Sequence, residues 1–157
     1  MSAAVASAEP MVAEPELELA FPPRPEYVRM ARHTVAALAR IYDAPDQVVD
    51  DLKLAVSEAC TNAVSVNAAA DDEPVRVRAG VADGGFVVEV QDAGPGLDPS
   101  LLERDAELDS EEFTFERGLS LPLIRGLVED LQIEVVEPRG SLIRMRLSFA
   151  DADPIPE

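Results

Sequence analysis

The spacing of apolar residues along this chain switches several times between the helical period and the strict alternation of a β-strand. Residues 16–21 alternate acidic and apolar side chains, as a half-buried strand does, and two prolines then end the pattern. Helical spacing follows over residues 25–42 and again over residues 45–69, which form the longest regular segment. These segments predict one strand followed by two helices that each turn an apolar face toward a core.

Alternation returns in the second half of the chain and predicts two hairpins. Apolar residues alternate over 75–81, residues 83–85 form a turn, and residues 86–91 return as the partner strand. The later predicted elements are a helix over 119–128, a strand over 131–135, a turn over 138–140 and a strand over 142–149. This order predicts an α+β fold in which helices cover one face of a mostly antiparallel sheet.

The two ends of the chain differ in composition from its centre. Residues 1–15 and 151–157 are rich in acidic residues, alanine and proline and bury too little apolar area to offset their ordering entropy. Both are predicted to be disordered tails, while residues 16–150 have the size of one ordinary domain. Within that domain, residues 93–117 lack periodicity and are predicted to form a mobile lid.

The charge balance is strongly acidic, with 31 acidic against 13 basic residues and a net charge of -18. Such a surface repels phosphates and anionic lipids and attracts a basic protein, so direct nucleic-acid or membrane binding is not expected. Cys60 is the only cysteine, which excludes an internal disulfide and predicts a packing role. Because no signal-peptide pattern and no apolar run of about 20 residues is present, a cytoplasmic location is expected.

Two polar residues of the long predicted helix, Glu58 and Asn62, lie four positions apart and therefore project from the same face. A carboxylate there can accept the proton of an attacking hydroxyl, and an amide oxygen can bind Mg2+ without adding a second negative charge. Acids and amides at this spacing are also common on solvated helix faces, so the pair alone leaves both interpretations open.

A second candidate group, Asp92, Gly94 and Gly96, directly follows an apolar strand. An aspartate at a strand end can accept a hydrogen bond from an exocyclic amine such as that of adenine, and glycines let the backbone approach a flat base. The other interpretation is an Asp-Gly turn that only ends the strand.

A third group, Arg117, Gly118, Leu119 and Ser120, opens the last predicted helix. The unpaired backbone N–H groups and the dipole of a helix N-terminus favour phosphate, and Arg117 adds positive charge. An ordinary loop-to-helix transition with Gly118 near the cap has the same residue pattern.

Taken in order, these segments resemble the nucleotide-binding boxes of the anti-sigma-factor serine/threonine kinases. That group is a branch of the GHKL superfamily, which includes gyrase and histidine-kinase ATPase domains. The matching segments are DLKLAVSEACTNAV at 51–64 for the N-box, VQDAGPGLD at 90–98 for the G1 box, RGLSLPLI at 117–124 for the G2 box and GSLI at 140–143 for the closing Gly-Thr strand. The resemblance implies the two-layer α/β sandwich of the Bergerat fold, with a mixed, mostly antiparallel sheet.

The resemblance also implies ATP and Mg2+ as cofactors and gives each matching residue a role. Glu58 would be the general base, Asn62 would bind Mg2+, and Asp92 would accept a hydrogen bond from the adenine amine. Gly94 and Gly96 would shape the nucleotide pocket. The remaining implied nucleotide contacts are Arg117, Gly118, Leu119 and Ser120 near the phosphates and Ser141 in place of a threonine near the adenine.

Kinases of this kind hold a sigma factor inactive and phosphorylate a serine or threonine of an antagonist protein. A sigma factor and an antagonist protein are therefore the implied partners. Relatives of this kind are often homodimers, which leaves a homodimer open for this chain.

Two positions depart from the family pattern. Ser120 replaces a glycine of the usual Gly-Leu-Gly-Leu sequence, where a side chain would crowd the phosphates. Val66 and Asn67 stand where the family commonly has His-Ala. The change at 120 motivates a second hypothesis, a non-catalytic module in which nucleotide occupancy gates the binding of a sigma factor or another regulator. A third, a metabolic ATPase or small-molecule kinase, would need a second substrate pocket that so short a chain does not suggest.

Overall fold

A computed structural model of the protein describes residues 15–68, 73–82, 84–94, 120–136 and 139–148. Within these ranges the elements follow the predicted order. They are β1 (Leu17–Phe21), α1 (Glu26–Ile41), α2 (Asp46–Ala68), β2 (Val75–Ala82), β3 (Gly85–Asp92), α3 (Ser120–Leu127), β4 (Asp130–Val135) and β5 (Ser141–Ser148). The predicted tails, apart from residue 15, and the predicted lid, apart from residues 93 and 94, lie outside the described residues.

The five strands form one sheet in the order β1-β2-β3-β5-β4. Each neighbouring pair among the described strands is antiparallel, which confirms the predicted α+β fold with a mostly antiparallel sheet. The reason lies in the connections, because β2–β3 and β4–β5 are joined by tight turns that reverse the chain. Gly84 and Gly140 take positive φ values of 75° and 118° in these turns, a backbone conformation in which glycine is favoured.

Helix α1 ends in a hydrogen-bonded motif centred on Asp43. This residue has a φ of 59°, and its N–H donates to the carbonyl of Arg40 at 3.0 Å. The next N–H, of Ala44, donates to the carbonyl of Ala39 at 3.1 Å, which completes a Schellman motif. The motif satisfies the last carbonyls of α1 and turns the chain back so that α2 can begin at Asp46.

Helix α2 is the central helix of its layer, since it packs against α1, α3 and β3. Its buried stripe is made largely of small side chains, which lets neighbouring elements approach closely. The fully buried members of this stripe are Val49, Leu52, Ala55, Val56, Ala59 and Cys60. The helix is therefore held rigidly over the sheet, and its polar face is fixed in position. Among the described helices, none is both long enough and apolar enough to cross a lipid bilayer.

On the sheet face opposite the helices, a buried charge network joins three strands. Arg144 of β5 donates from Nε to Glu89 of β3 at 2.9 Å and from a terminal nitrogen to Gln132 of β4 at 3.1 Å. The same nitrogen donates to Glu134, and both carboxylate-bearing residues are less than a tenth exposed. Removing the arginine would leave two buried carboxylates without their cation, so the network fixes the register of β3 against β5.

Cys60 is fully buried, and burial raises the pKa of its thiol from 9.0 to about 12. The unfolded chain releases this proton near pH 9 while the folded chain keeps it, so stability falls as pH rises between these values. We expect wild type to lose about 2 kcal/mol more unfolding free energy between pH 8 and pH 10.5 than Cys60→Ala does. Urea denaturation at the two pH values measures the difference, and equal losses in the two proteins would contradict the expectation.

Candidate functional site

One face of α2 carries Glu58, Asn62 and Val66 at successive spacings of four residues. With a rise of about 1.5 Å per residue, neighbouring members of this series lie roughly 6 Å apart along the helix axis. Glu58 is half-buried, while Asn62 and Val66 are 5% and 7% exposed. The series thus runs from a partly open position in the middle of the helix to a buried one near its C-terminal end.

The end of β3 folds into a compact turn on Asp92. Its carboxylate is buried, and Oδ1 accepts a hydrogen bond from the N–H of Gly94 at 2.9 Å. This side-chain-to-backbone bond is an Asx turn, so the sequence correctly indicated a turn at this position. A turn does not exclude a binding role, because one carboxylate oxygen accepts several hydrogen bonds and the second oxygen is not used in this bond.

Gly94 brings the strand end against α2. A Cβ atom at this position would lie 2.8 Å from the Cβ of Val66, closer than side chains approach. Glycine is therefore required by the close packing of the two segments. The contact places the helix face that bears Glu58 and Asn62 beside the turn that follows Asp92.

The start of β5 lies on the other side of the turn that follows Asp92. Asp92, Gly94 and Ser141 together form a corner. Ser141 is fully buried and pairs with Asp92 in the antiparallel register. A Cβ on Gly140 would lie only 2.3 Å from the backbone carbonyl oxygen of Asp92. Gly140 was not among the predicted site residues, although its position just before the closing strand was the available signal.

A further residue, Asn67, ties the helix to this corner and was noted from the sequence only as a departure from the family pattern. Its side chain is fully buried, and Oδ1 accepts a hydrogen bond from the N–H of Ala93 at 2.8 Å. Its Nδ2 donates to the carbonyls of Glu73 at 2.8 Å and Pro74 at 3.1 Å. Asparagine next to an acidic, irregular segment was the only signal in the sequence.

The amide of Asn62 has an unusual environment. It is buried, and within the described ranges its Nδ2 has no hydrogen-bond partner. Because buried polar groups are nearly always paired, this N–H donor is suited to an acceptor oxygen of a bound ligand. Amide and phosphate oxygens are the hard ligands that Mg2+ prefers, so the side-chain oxygen of Asn62 is chemically compatible with the predicted magnesium role.

No ready-made cation site replaces that arrangement, since the part of the chain that the structure describes holds no cluster of three His, Cys, Asp or Glu side chains.

Several predicted site residues lie outside the described residues. They are Gly96, Arg117, Gly118 and Leu119. The backbone of Ser120 begins α3, as the sequence predicted for the start of this helix, but its side chain also lies outside the described part. The predicted phosphate cradle at this helix start therefore stays a prediction.

A separate cavity of about 580 Å³ opens between α1 and α2. Its lining includes Arg29 and Arg32 of α1 and Thr61 and Ser65 of α2, and the Nε of Arg32 is buried without a partner among the described residues. The pKa of the nearby His33 is lowered by desolvation and by four surrounding cations, Arg32, Lys53, Arg29 and Arg40. The acidic chain therefore has a locally basic surface on its helical layer.

Residues 21–147 match the family described as the histidine kinase-like ATPase domain. The serine-protein kinase RsbW of Bacillus licheniformis is 33% identical over 125 residues, which cover 76% of this chain and 78% of that protein. The anti-sigma F factor of Clostridium acetobutylicum is 28% identical over 137 residues, which cover 87% of this chain and 96% of that protein.

Solved structures share the same arrangement of elements. A chain of the SiaB-SiaC complex from Pseudomonas aeruginosa superposes with a TM-score of 0.65 at 15% identity, covering 85% of this chain and 89% of that chain. The RsbU and RsbW domains of a Mycobacterium tuberculosis protein give 0.62 at 19% identity and cover 84% of this chain. This chain spans only 32% of that longer protein. At such identities the two structures establish the fold, a sheet with helices on one face.

Proposed function

The chain belongs to the histidine kinase-like ATPase domain family, together with proteins named serine-protein kinase and anti-sigma factor, and from this membership we propose that it is an ATP-dependent serine/threonine protein kinase. Its substrate is an antagonist protein, and it acts as an anti-sigma factor by holding a sigma factor. The observation that carries the proposal is the buried Nδ2 of Asn62, which has no hydrogen-bond partner among the described residues. Asn62 lies on α2 between Glu58 and the contact of Val66 with Gly94.

We propose that the nucleotide lies along α2 in a defined order, which the contact between α2 and the turn after Asp92 supports. The adenine end belongs at the corner formed by Asp92, Gly94 and Ser141, where the carboxylate of Asp92 accepts a hydrogen bond from the adenine amine. The phosphate end belongs beside Asn62, one helical turn earlier. Bound Mg2+ supplies charge neutralisation at the phosphates. Gly96, Arg117, Gly118, Leu119 and Ser120 are proposed as the remaining nucleotide contacts on the strength of the resemblance alone.

Glu58 lies one further turn along the same face, beyond Asn62. A half-buried carboxylate at this place can hold the hydroxyl of an incoming serine or threonine and accept its proton as the oxygen bonds to the γ-phosphorus and ADP leaves. The activity is tested by incubating the chain with Mg-ATP and each purified sigma-factor antagonist of the host. Phosphoserine or phosphothreonine on an antagonist is the expected product, and its absence from every antagonist would overturn the kinase assignment.

The basic surface between α1 and α2 is the proposed contact for a protein partner that presents an acidic segment. Two arginines and two hydroxyl groups around the cavity suit an acidic segment, and the buried Nε of Arg32 is suited to a carboxylate. The net negative charge of the chain would repel the same segment from acidic surfaces, which favours its binding at this basic surface.

Replacing Asn62 with alanine is expected to weaken Mg-ATP binding about 10- to 100-fold, because a metal ligand is removed. The loss should vanish when EDTA removes the metal and ADP is the ligand. Calorimetry under both conditions measures the two affinities. Ser57→Ala is the matched control on the same helix, since the Ser57 hydroxyl donates only to the carbonyl of Lys53 among the bonds described.

An equal loss with and without metal would show that Asn62 supports the pocket but does not bind Mg2+. Failure of the wild-type chain to bind ATP at all would remove the nucleotide-binding function itself.

A further inference from the structure

We infer that Asn67 is a positioning residue for nucleotide binding, because it clamps the turn beside Asp92 to the end of α2. The inference rests on the proposed ATP-binding function and adds to it a residue that the nucleotide itself does not touch. The supporting observations are the complete burial of the side chain and its three hydrogen bonds to three different backbone groups.

The acceptor oxygen of the amide binds the backbone directly after Asp92. Oδ1 of Asn67 holds the N–H of Ala93 at 2.8 Å, and the neighbouring N–H of Gly94 is held by Asp92 itself at 2.9 Å. Two successive backbone N–H groups after Asp92 are thus fixed by side-chain oxygens. The first of these bonds comes from α2, so it sets the position of the turn relative to the helix that bears Asn62 and Glu58.

The donor side of the amide determines its orientation. Nδ2 donates to two carbonyl oxygens, of Glu73 and Pro74, immediately before β2 begins. With carbonyl oxygens on one side and an N–H group on the other, the amide has a single arrangement that satisfies all three partners. The two hydrogen bonds from Nδ2 therefore fix the orientation of the amide, so that Oδ1 and not Nδ2 faces the N–H of Ala93.

The adjacent residue Val66 reinforces the same contact. Val66 packs on Gly94, and a Cβ added to Gly94 would lie 2.8 Å from the Cβ of Val66. The Val66-Asn67 pair, which departs from the His-Ala common in the family, thus contacts two successive residues of the turn. Val66 packs on Gly94, and Asn67 accepts the hydrogen bond of Ala93. Asp92 therefore lies between these contacts and its strand pairing with Ser141.

The test compares Asn67→Ala with Asn67→Asp. Alanine removes both functions of the amide, whereas aspartate keeps an acceptor for Ala93 and loses the donors to Glu73 and Pro74. We expect Asn67→Ala to bind ADP about 10-fold more weakly in calorimetry and Asn67→Asp to stay within about threefold of wild type. Both variants should be less stable in urea, but only Asn67→Ala should lose affinity for ADP. The effect on affinity can therefore be distinguished from the effect on stability.

A kinetic measurement adds a second readout. If Asn67 only positions the adenine corner, Asn67→Ala should raise KM for ATP about 10-fold and leave kcat within about twofold, because Glu58 is untouched. Gln132→Ala is the matched control, since it removes a side-chain amide on the edge strand β4 that is hydrogen-bonded to Arg144. This control should lower stability without changing the affinity for ADP.

Three results would overturn the inference: wild-type affinity in Asn67→Ala, affinities that fall in proportion to stability in both variants, or a fall in kcat at unchanged KM. Failure of the proposed function has a different signature, because the wild-type chain itself would then bind no ADP.

Discussion

Replacement of Glu58 with glutamine is expected to lower the rate of phosphotransfer by about 10²- to 10⁴-fold, the usual effect of losing a general base. Glutamine fills nearly the same volume on the half-buried face of α2, so the helix and its contacts should be kept. Its amide can still accept a hydrogen bond from a hydroxyl but cannot take the proton. Affinity for Mg-ATP should therefore stay within about threefold of wild type, since Asn62 and the Asp92 corner are unchanged.

Single-turnover transfer from γ-labelled ATP to the antagonist measures this effect, with calorimetry on the same preparation for affinity. Asp51→Asn is the matched control, because it makes the same acid-to-amide change two turns earlier on α2, where Asp51 accepts only a bond from Gln47 among those described. This control should transfer phosphate at the wild-type rate.

An unchanged transfer rate in Glu58→Gln would assign the proton to another group. If the wild-type chain binds ATP and a sigma factor but transfers no phosphate, the chain is a nucleotide-gated binding module, as Ser120 suggested from the sequence.

Local patterns in the sequence predicted the elements well, because each pattern depends on residues close together in the chain. The apolar stripe of α2 predicted its buried face, and the predicted limits of 45–69 differ by only one residue at each end from Asp46–Ala68. The turn at Gly84 followed from its dipeptide context in the same way. These features are set by helical and strand periods, which the sequence displays directly.

The arrangement of the sheet depended on contacts that no local pattern contains. β1 pairs with β2 across two intervening helices, and β5 lies between β3 and β4. The Arg144–Glu89 pair spans 55 positions, so nothing near either residue indicated that the charge would be buried. The expectation of a mostly antiparallel sheet came from the family, and all neighbouring pairs among the described strands are antiparallel.

In the candidate site, too, some residues could be interpreted from local spacing and others only from long-range contacts. Glu58 and Asn62 could be placed on one face because their spacing is helical. Asn67 could not be interpreted, since its partners lie 6, 7 and 26 positions away and only the folded chain brings them together. In this chain the residues at 66 and 67 hold the turn after Asp92, by packing on Gly94 and by a hydrogen bond to Ala93.

Gly140 gives the largest expected effect on stability. Its φ of 118° is strained for any side chain, and a Cβ would lie 2.3 Å from the carbonyl oxygen of Asp92, a backbone atom that cannot rotate away. Backbone strain and overpacking each cost about 1 to 3 kcal/mol, so Gly140→Ala should lose about 3 kcal/mol or more of unfolding free energy. Because the clash displaces Asp92 itself, the folded fraction should also bind ADP more weakly. Urea denaturation and calorimetry measure the two effects.

Two other glycine-to-alanine changes separate the causes of this loss. At Gly84, φ is 75° but no atom lies within 4 Å of an added Cβ, so Gly84→Ala should show conformational strain alone, about 1 kcal/mol. At Gly126, which is helical and equally open, alanine should stabilise the chain by about 0.5 to 1 kcal/mol. The close approach of Gly140 to Asp92 predicts that its loss exceeds that of Gly84 by about 2 kcal/mol. Equal losses at the two positions would mean that the β4–β5 turn does not pack on Asp92, and the corner assigned to the adenine would lose one of its walls.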